Sequence, residues 1–326
     1  MSTSSRYARQ FEVLRANAMD SVVGVLMERH VSRRGELWYS SQFLPAGEVI
    51  ATGDEETVRG LRKRASTLPD PVRVSLALNI WTEEGLPHFH RILAGVVEHD
   101  SNLGRWNNLW TAEEDRHGNV LRDYARAARI FDFLSFEAQQ FEYVRAGFHP
   151  AWASSPYKLF VYTTLQEKAT QISHGRTGII AGNYEPLLEE ILRKVAEDEA
   201  RHYAFYLNLF GAVIGQDPSG ALVAANEMLP HIDMPGVSMP GFRDYIEVEA
   251  RAGIYTLRNY KAVVEGVLYH WKVGTLQNLD PEGARAQDEA CEIPERLEKA
   301  ARRIEQRLRN KKTFSFPVIH GREFIL

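Results

Sequence analysis

Apolar residues recur along the chain at the spacing of amphipathic α-helices, whereas the alternating runs typical of strands are scarce. This pattern predicts a mainly helical protein whose helices are separated by loops rich in glycine and proline. No loop is long or biased enough in composition to mark a domain boundary, so we expect residues 1–326 to form a single domain. The predicted helices span residues 6–30, 55–66, 71–98, 105–133, 135–148, 156–181, 184–212, 216–227, 241–273 and 284–310.

The segment that follows Arg309 differs from the helices. It reads NKKTFSFPVIHGREFIL and is rich in aromatic and aliphatic residues. Disordered tails usually lack such residues, because segments of low hydrophobicity cannot bury enough apolar surface to offset the entropy of ordering. We therefore expect an ordered, extended strap.

Two of the predicted helices carry a glutamate and a histidine, three residues apart, within an otherwise apolar face. A carboxylate inside such a face is costly unless it is paired, protonated or bound to a cation. A lone Glu-x-x-His pair is usually a surface salt bridge, so a single copy would carry little weight. The first face reads Trp106, Trp110, Glu114, His117, Leu121 and Tyr124, and the second reads Leu188, Leu192, Val195, Glu199, His202, Tyr206 and Leu209.

The two motifs belong to a duplicated unit. Glu83 precedes Glu114 by 31 residues, and Glu167 precedes Glu199 by 32, in each case from the preceding predicted helix. Two such helical hairpins, packed as a four-helix bundle, would gather the ligand set of di-iron and di-manganese carboxylate proteins. From the pattern alone, Glu84 could take the place of its neighbour. The candidate metal ligands are Glu83, Glu114, His117, Glu167, Glu199 and His202.

The donor set also indicates the metal. Carboxylates and imidazoles suit iron or manganese, and the single cysteine, Cys291, excludes a multi-cysteine zinc site and an internal disulfide. Metal-bound histidines usually donate their second ring N–H to an outer partner. Glu113 and Asp198 each directly precede a candidate ligand, a position from which they can reach the histidine of the opposite motif. Four other histidines are expected to be solvated or satisfied locally, namely His88, His90, His174 and His320.

Charge and hydropathy exclude some classes of partner. The chain has 39 Lys and Arg against 43 Asp and Glu, a formal charge of -4 and a pI near 6.3. No overall basic field is available to recruit nucleic acid or an anionic membrane. The first residues lack the apolar core of a signal peptide, and no apolar run is long enough to span a bilayer. We therefore expect a cytoplasmic protein without a transmembrane segment.

Together the motifs resemble those of the soluble acyl-[acyl-carrier-protein] desaturases of plants and bacteria. The resemblance rests on TEEGLPHFH (82–90), WTAEEDRHG (110–118), SPYKLFVYTTLQEKATQISHG (155–175) and AEDEARHYAFY (196–206). Two further segments are similar to the family's terminal segments, ELWYSSQFLP (36–45) and TFSFPVIHGREF (313–324). The resemblance implies an all-α fold, a ferritin-like four-helix bundle with a di-iron centre that is extended by additional helices.

The resemblance also implies roles for individual residues. The six candidate ligands would bind two iron ions, with Glu83 favoured over its neighbour. Thr170 would lie beside the oxygen-binding face, although a threonine on a helix often bonds only to its own turn. Trp38 and Asp198 would lie between the protein surface and His117, on an electron entry route. A simple packing role is the alternative for Trp38. A ferredoxin-type donor would supply the electrons, and the protein would be a homodimer.

The implied activity introduces a cis double bond into an acyl chain carried on acyl carrier protein, with oxygen as oxidant, in fatty-acid or lipid biosynthesis. Acyl carrier proteins are acidic, so a basic docking face is expected in spite of the net negative charge. Exposed helix faces are often basic without binding any partner. A solvated face of this kind is therefore the alternative for both basic clusters. The clusters are Arg59, Arg62, Lys63 and Arg64, and Arg302, Arg303, Arg307, Arg309, Lys311 and Lys312.

Three other functions use such a metal site. A related di-iron oxygenase would hydroxylate a carrier-bound substrate, because desaturation and hydroxylation diverge only after the first hydrogen is removed. A radical protein like ribonucleotide reductase would need a tyrosine four residues after the first motif's histidine, where this chain has Leu121. Tyr206 does occupy the equivalent place in the second motif. Iron-storage bundles, the third class, are typically much shorter.

Overall fold

The computed structural model describes residues 3–44, 52–231 and 234–326. Helices dominate this part of the chain, and one short hairpin supplies its strands. The mainly helical fold expected from the apolar periodicity is confirmed. Helices α1 to α13 are, in order, Thr3–Arg15, Asn17–Arg33, Thr52–Ala65, Asp70–Glu83, Leu86–Ala94, Asn102–Ala128, Phe133–Ala146, Pro156–Gly182, Pro186–Gln216, Pro218–Met228, Phe242–Arg251, Leu257–His270 and Pro281–Leu308.

Three predicted helices are each divided in two, those expected over 6–30, 71–98 and 241–273. The first breaks at Ala16, whose backbone is extended with φ -64° and ψ 136°. The second breaks before Pro87, because proline cannot donate the backbone hydrogen bond that a continuous helix needs. The third breaks at Gly253, which adopts a left-handed conformation with φ 71°. Apolar residues continue on both sides of each break, so periodicity alone overlooks them.

Helices α4, α6, α8 and α9 form a four-helix bundle. Helix α4 contacts α6 and α8, and α9 contacts the same two helices. The α8–α9 hairpin is tight, since only residues 183–185 separate the two helices. The predicted pair of helical hairpins is therefore present, and it places the four motif segments side by side.

Two apolar zones enclose the level of the bundle that carries the motifs. Trp106 and Tyr206 belong to the first zone, and Leu121 and Val195 belong to the second. Along α6 and α9, each Glu-x-x-His motif lies between one zone and the other. The motifs are thus held in an interior of low dielectric constant, where charges interact strongly with one another.

Helix α2 lies on the outside of the bundle, against α6 and α9. Its Asp20 fixes the start of α6. Asp20 Oδ1 accepts from the backbone N–H of Asn102 at 2.8 Å, and Asp20 Oδ2 accepts from the Asn102 side-chain amide at 2.9 Å. A carboxylate is favourable at this point because the first N–H groups of a helix lack intrahelical partners and the helix dipole is positive there. The contact holds α2 against the motif-bearing helices.

The C-terminal tail is ordered, as expected, but forms a hairpin instead of a single strap. Strand β1 (Thr313–Ser315) pairs antiparallel with β2 (Glu323–Ile325), and Phe314 lies opposite Phe324. Phe314 and Phe316 are buried against the second apolar zone. Burial of these aromatic rings therefore accounts for the order of the tail.

Charged residues cover the peripheral helices. Arg258 of α12 forms ion pairs with Glu298 and Glu305 of α13. Exposed pairs of this kind contribute little to stability individually, because water and salt screen them. Among the described helices, none joins the length to the apolar composition that a bilayer crossing would require.

A buried carboxyl group joins α11 to the bundle. Glu249 is 6% exposed, and its Oε1 accepts hydrogen bonds from Ser75 Oγ at 2.6 Å and Ser173 Oγ at 3.3 Å. Ser75 Oγ also lies 2.9 Å from Thr177 Oγ1. Burial raises the pKa of Glu249 to about 6, because the hydroxyl groups only partly replace the water that solvates a carboxylate. The neutral acid therefore persists to a higher pH in the folded protein than in the unfolded chain.

Replacing Glu249 with glutamine should change how stability depends on pH. The raised pKa means that ionisation of Glu249 costs more in the folded than in the unfolded chain, so its contribution to stability falls as the pH rises towards and past about 6. As the pH rises from about 4.5 to 8, the unfolding free energy of the glutamine variant should increase by about 1.5 kcal/mol relative to that of wild type. Urea unfolding of both proteins across this range measures the gain.

The matched control is Glu247→Gln on the same helix, for which the expectation has the opposite sign. Partial burial opposes ionisation of Glu247, but hydrogen bonds from Lys312 and Arg251 outweigh it and lower the pKa. Its ionised form stabilises the fold, so glutamine should destabilise most at neutral pH and least in acid. If the difference in unfolding free energy between Glu249→Gln and wild type stays constant with pH, ionisation of Glu249 is not opposed by its burial.

Candidate metal centre

The six candidate ligands lie at one level of the bundle, two on each of α6 and α9 and one on each of α4 and α8. All six are buried, with at most 7% of any residue exposed. A spacing of three residues places each Glu and His pair on one face of its helix. Their donor atoms form two overlapping groups, and within each group the atoms lie within 4.8 Å of one another. The groups are Glu83, Glu114, His117 and Glu199, and Glu114, Glu167, Glu199 and His202.

Both histidines enter the cluster through the same ring atom, and two carboxylates face both of them. His117 Nδ1 lies 3.3 Å from Glu114 Oε2 and 3.5 Å from Glu199 Oε1. His202 Nδ1 lies 2.7 Å from Glu114 Oε1 and 3.8 Å from Glu199 Oε2. Glu114 and Glu199 therefore each direct one oxygen towards His117 and the other towards His202. We call them the shared carboxylates.

The two remaining carboxylates each belong to one side. Glu83 Oε2 lies 3.7 Å from His117 Nδ1, and Glu167 Oε2 lies 3.7 Å from His202 Nδ1. We call Glu83 and Glu167 the private carboxylates. The cluster can thus offer each of two metal ions one histidine, one private carboxylate and both shared carboxylates.

Several inward-facing atoms of the cluster are buried but form no hydrogen bond with the described residues. They are Glu114 Oε1, His117 Nδ1, Glu199 Oε2 and His202 Nδ1. Even the 2.7 Å approach of His202 Nδ1 to Glu114 Oε1 lacks the angles of a hydrogen bond. Buried polar atoms are otherwise almost always hydrogen-bonded, so donor atoms that converge without bonding fit a ligand set for metal ions. Oxygen and imidazole donors without thiolate suit iron or manganese.

Each histidine is also contacted from outside the cluster. His117 Nε2 lies 3.3 Å from Asp198 Oδ2, and His202 Nε2 lies 2.9 Å from Glu113 Oε2. These are the carboxylates that directly precede the shared ones in sequence. Donation of Nε2–H outward leaves the Nδ1 lone pair directed into the cluster, which is the usual arrangement behind a metal-bound histidine.

The private carboxylates have outer donors as well. Trp110 Nε1 donates to Glu167 Oε1 at 3.1 Å, and His174 Nε2 lies 2.8 Å from Glu83 Oε1. Each bond restrains one carboxylate oxygen and leaves the other oxygen facing the histidine of its side. Orientation of the private ligands therefore depends on residues that do not themselves enter the cluster.

The clustered groups shift one another's pKa. Burial, followed by the charges of Glu199 and Glu114, raises the pKa of Glu167 well above its usual value. Burial disfavours the imidazolium of His202, but neighbouring carboxylates, first of all Glu114, outweigh it and raise its pKa. Burial would also raise the pKa of Glu199, yet the two nearby histidines outweigh it and lower the pKa. Protons and metal cations therefore compete for the same donor atoms.

Comparison with known proteins identifies the family. The family model described as fatty acid desaturase matches residues 9–320. The chain belongs to the fatty acid desaturase family. The chloroplastic stearoyl-[acyl-carrier-protein] 9-desaturase of Gossypium hirsutum is 34% identical over 304 residues, which cover 89% of this chain and 75% of that protein. The chloroplastic acyl-[acyl-carrier-protein] desaturase of Cucumis sativus is 32% identical over 309 residues, which cover 90% and 78%.

A solved structure shares the fold of this desaturase-family chain. The X-ray structure of DesA2 from Mycobacterium tuberculosis H37Rv aligns with a TM-score of 0.60 at 20% identity and covers 82% of this chain and 97% of that one. At this level of identity the likeness shows the fold alone. The expected ferritin-like helical architecture is confirmed, and so is the resemblance to the soluble desaturases.

Trp38 lies behind the first histidine in this desaturase-family chain. Its ring stacks on His117, with ring centroids 6.0 Å apart and an interplanar angle of 8°. Arg116 lies 4.9 Å from the centre of the Trp38 ring and donates from Nη2 to Asp198 Oδ2 at 3.0 Å. Trp38, Asp198 and His117 therefore form one continuous set of contacts.

A cavity of about 20 Å³ opens on the cluster. Thr170, Leu86 and Phe89 line it together with all four carboxylates. This volume is enough for about one water molecule. Thr170 Oγ1 donates to its own helix, to the carbonyl groups of Gln166 at 3.2 Å and Glu167 at 3.1 Å. Thr170 therefore forms the hydrogen bonds to its own helical turn that were expected as the alternative to an oxygen-binding role.

Two histidines next to the cluster are absent from the predicted site residues. His174 was expected to be solvated or satisfied locally, but it is 1% exposed and contacts Glu83 on another helix. A signal was available, since His174 follows Glu167 by seven residues and so lies two turns along the same helix face. The second is His30 on α2, whose Nε2 lies 2.9 Å from Glu113 Oε2.

Glu84, the neighbour of Glu83, does not face the cluster. Glu84 contacts Arg122 and Gln140 instead of the cluster. Glu83 is therefore the member of this pair that reaches the other donors, as the family resemblance favours. Among the remaining histidines, His88 is buried, His90 lies 2.7 Å from Thr111 Oγ1 and His320 is exposed.

Replacing His174 with leucine should weaken metal binding by about 10- to 100-fold, because Glu83 loses the group that orients its carboxylate. Glutamine at the same position retains an N–H donor and should keep most of the affinity. Competition between the protein and a chelator for Fe(II) or Mn(II) measures the change. His90→Leu, on α5 outside the cluster, is the control and should bind like wild type. Equal affinities for His174→Leu and wild type would rule out the orienting role.

Proposed function

We propose that this chain is an acyl-[acyl-carrier-protein] desaturase, which uses oxygen to introduce a cis double bond into an acyl chain carried on acyl carrier protein. The observation that carries the proposal is the buried cluster of four carboxylates and two histidines in the bundle core. The names of the relatives, stearoyl- and acyl-[acyl-carrier-protein] desaturases, support the substrate class. The activity belongs to fatty-acid biosynthesis.

The proposed cofactor is a pair of iron ions. Glu83 and His117 would hold one ion, Glu167 and His202 would hold the other, and the shared carboxylates would serve both. Bound iron would supply the oxygen-dependent oxidation of two adjacent methylene groups, chemistry that no side chain provides. Manganese has similar donor preferences, so metal analysis of the purified protein decides between the two.

The part of the protein is to hold the donors and to exclude water. Trp110 and His174 restrain the private carboxylates, while Asp198 and Glu113 restrain the histidines. The apolar zones close the cluster from both sides. Phe89, which lines the cavity, supplies an apolar wall against which an acyl chain can pack. The position of the double bond would then follow from how deep the chain reaches past this wall.

Electrons and protons must come from outside the substrate. Desaturation takes two hydrogens from the acyl chain and reduces dioxygen to two waters, so two electrons and two protons are supplied per turnover. We assign the electrons to a ferredoxin-type donor. Stacking of Trp38 on His117, beside Asp198, supports entry at this side of the cluster. Thr170, on the cavity wall, would orient the oxygen molecule.

Docking of acyl carrier protein is assigned to a basic face. In the α3 cluster, Arg64 has a structural partner, because its Nε lies 2.9 Å from the buried Glu185. Arg62 is engaged as well, because its Nε donates to the backbone carbonyl of Ala127 at 3.0 Å. Arg59 and Lys63 are exposed and remain available for an acidic partner. Arg303 and Arg307, exposed on α13, form the second candidate face. Homodimerisation stays a prediction, which mass photometry of the purified protein tests.

Removing a shared carboxylate should abolish turnover. Glu199→Ala is expected to lose about a thousandfold or more in kcat/KM, because both metal ions lose a ligand. The assay combines acyl carrier substrates of different chain lengths with reduced ferredoxin and oxygen, followed by mass spectrometry. Glu190→Ala, at an exposed position of the same helix, is the control and should retain activity.

The products of the wild-type enzyme distinguish a desaturase from the alternative function, a hydroxylating oxygenase. A desaturase returns acyl chains that lack two hydrogens, whereas a hydroxylase returns chains that have gained one oxygen. Protein that contains two iron ions and leaves every acyl carrier substrate unchanged would overturn the assignment. Predominant hydroxylation would replace it by the related oxygenase function.

Charge reversal should locate the docking face. Arg59→Glu combined with Lys63→Glu should raise the apparent KM for the acyl carrier substrate by about tenfold or more if the partner docks on α3, because like charges then oppose association. Metal content and kcat should stay near wild type. Arg303→Glu combined with Arg307→Glu is the reciprocal variant on α13. Steady-state kinetics that show an unchanged KM for both variants would exclude both faces.

A further inference from the structure

The two halves of the metal centre are backed by unequal sets of outer residues. Each Glu-x-x-His motif contains an arginine directly before its histidine, Arg116 on α6 and Arg201 on α9. Both arginines turn to Asp198: Arg116 Nη2 donates at 3.0 Å, and Arg201 forms a second ion pair. The carboxylate behind His117 thus receives both motif arginines, and Glu113 receives neither.

Helix α2, outside the duplicated unit, and its C-cap residue Arg34 supply the donors that Glu113 lacks. His30 Nε2 lies 2.9 Å from Glu113 Oε2, and Arg34 Nη1 lies 3.2 Å from Glu113 Oε1. His202 Nε2 approaches the same Oε2 at 2.9 Å. The side chains of His30 and Glu113 are each 2% exposed, so water contributes little to holding this carboxylate. Glu113 is therefore positioned by residues far from it in sequence.

The orientation of His30 is fixed by packing as well. Its ring lies nearly parallel to that of His202, with centroids 5.7 Å apart and an interplanar angle of 15°. Trp106 meets the edge of His30 at 4.9 Å and 84°. His30 Nδ1 is buried and has no hydrogen-bond partner among the described residues, so the bond to Glu113 is the polar contact that the ring makes.

We infer that His30 is a positioning residue for the His202 half of the metal centre. It donates Nε2–H to Glu113, and Glu113 thereby stays in place to accept Nε2–H of His202 and to keep the Nδ1 lone pair directed at the metal ion of that side. This role rests on the proposed function, because it requires two metal ions in the cluster. Its consequence is that a helix outside the duplicated bundle controls one of the two metal positions and leaves the other unaffected.

The test compares metal binding by metal-free wild type, His30→Leu and His30→Gln. Leucine removes the donor, whereas the glutamine amide can place an N–H group close to the former Nε2. Titration with Co(II), followed by its visible absorption, resolves the two binding steps without any turnover. We expect His30→Leu to bind one equivalent like wild type and the other about 10- to 100-fold more weakly. His30→Gln should recover most of the lost affinity.

Controls separate positioning from folding. Arg33→Leu, at an exposed position of the same helix, should bind both equivalents like wild type. Circular dichroism and thermal unfolding of the metal-free variants report whether they fold. Loss of both equivalents to the same degree, or failure of glutamine to rescue, would overturn the inference in favour of a packing role. Wild-type binding of both equivalents by His30→Leu would overturn it as well, while leaving the metal centre intact. A wild-type protein that binds fewer than two ions would instead remove the proposed metal centre itself.

Discussion

Burial of four carboxylates at one level of the bundle is the constraint on which the rest of the structure depends. A carboxylate removed from water costs several kcal/mol unless hydrogen bonds or cations compensate it. The protein meets this cost with two histidines inside the cluster and with outer groups such as Trp110, His174 and Asp198. Inward donor atoms still lack partners, which supports the proposed binding of cations between them. The apolar zones strengthen this demand, since they keep water away.

The sequence predicted the core of this arrangement because local spacing encodes it. Glu114 and His117 share a helix face through their separation of three residues, and the same holds for Glu199 and His202. Repetition of the unit, with Glu83 and Glu167 one helix earlier, makes chance an unsatisfactory explanation. The outer contacts of Glu113 and Asp198 also followed from position, since each directly precedes a shared carboxylate. Proline and glycine chemistry could have located the helix breaks, although hydrophobic periodicity did not.

Local spacing along the chain does not predict contacts between segments far apart in sequence. His30 lies 83 residues from Glu113, and no local pattern links the two. The duplicated motifs suggest a two-fold arrangement, yet Arg116 and Arg201 both turn to Asp198 and leave the other side to α2. Side-chain packing, which depends on the final distances between helices, decides such asymmetry. The hairpin of the C-terminal tail likewise depends on pairing that composition alone does not specify.

We propose that the six side chains bind two metal ions between the apolar zones. The most direct measurement is anomalous X-ray diffraction at the iron absorption edge from crystals of the iron-loaded protein. We expect two anomalous peaks inside the bundle, one beside His117 and Glu83 and one beside His202 and Glu167, with the shared carboxylates contacting both. Iron peaks located elsewhere, or a cluster that excludes iron while its side chains bond only to one another, would contradict it.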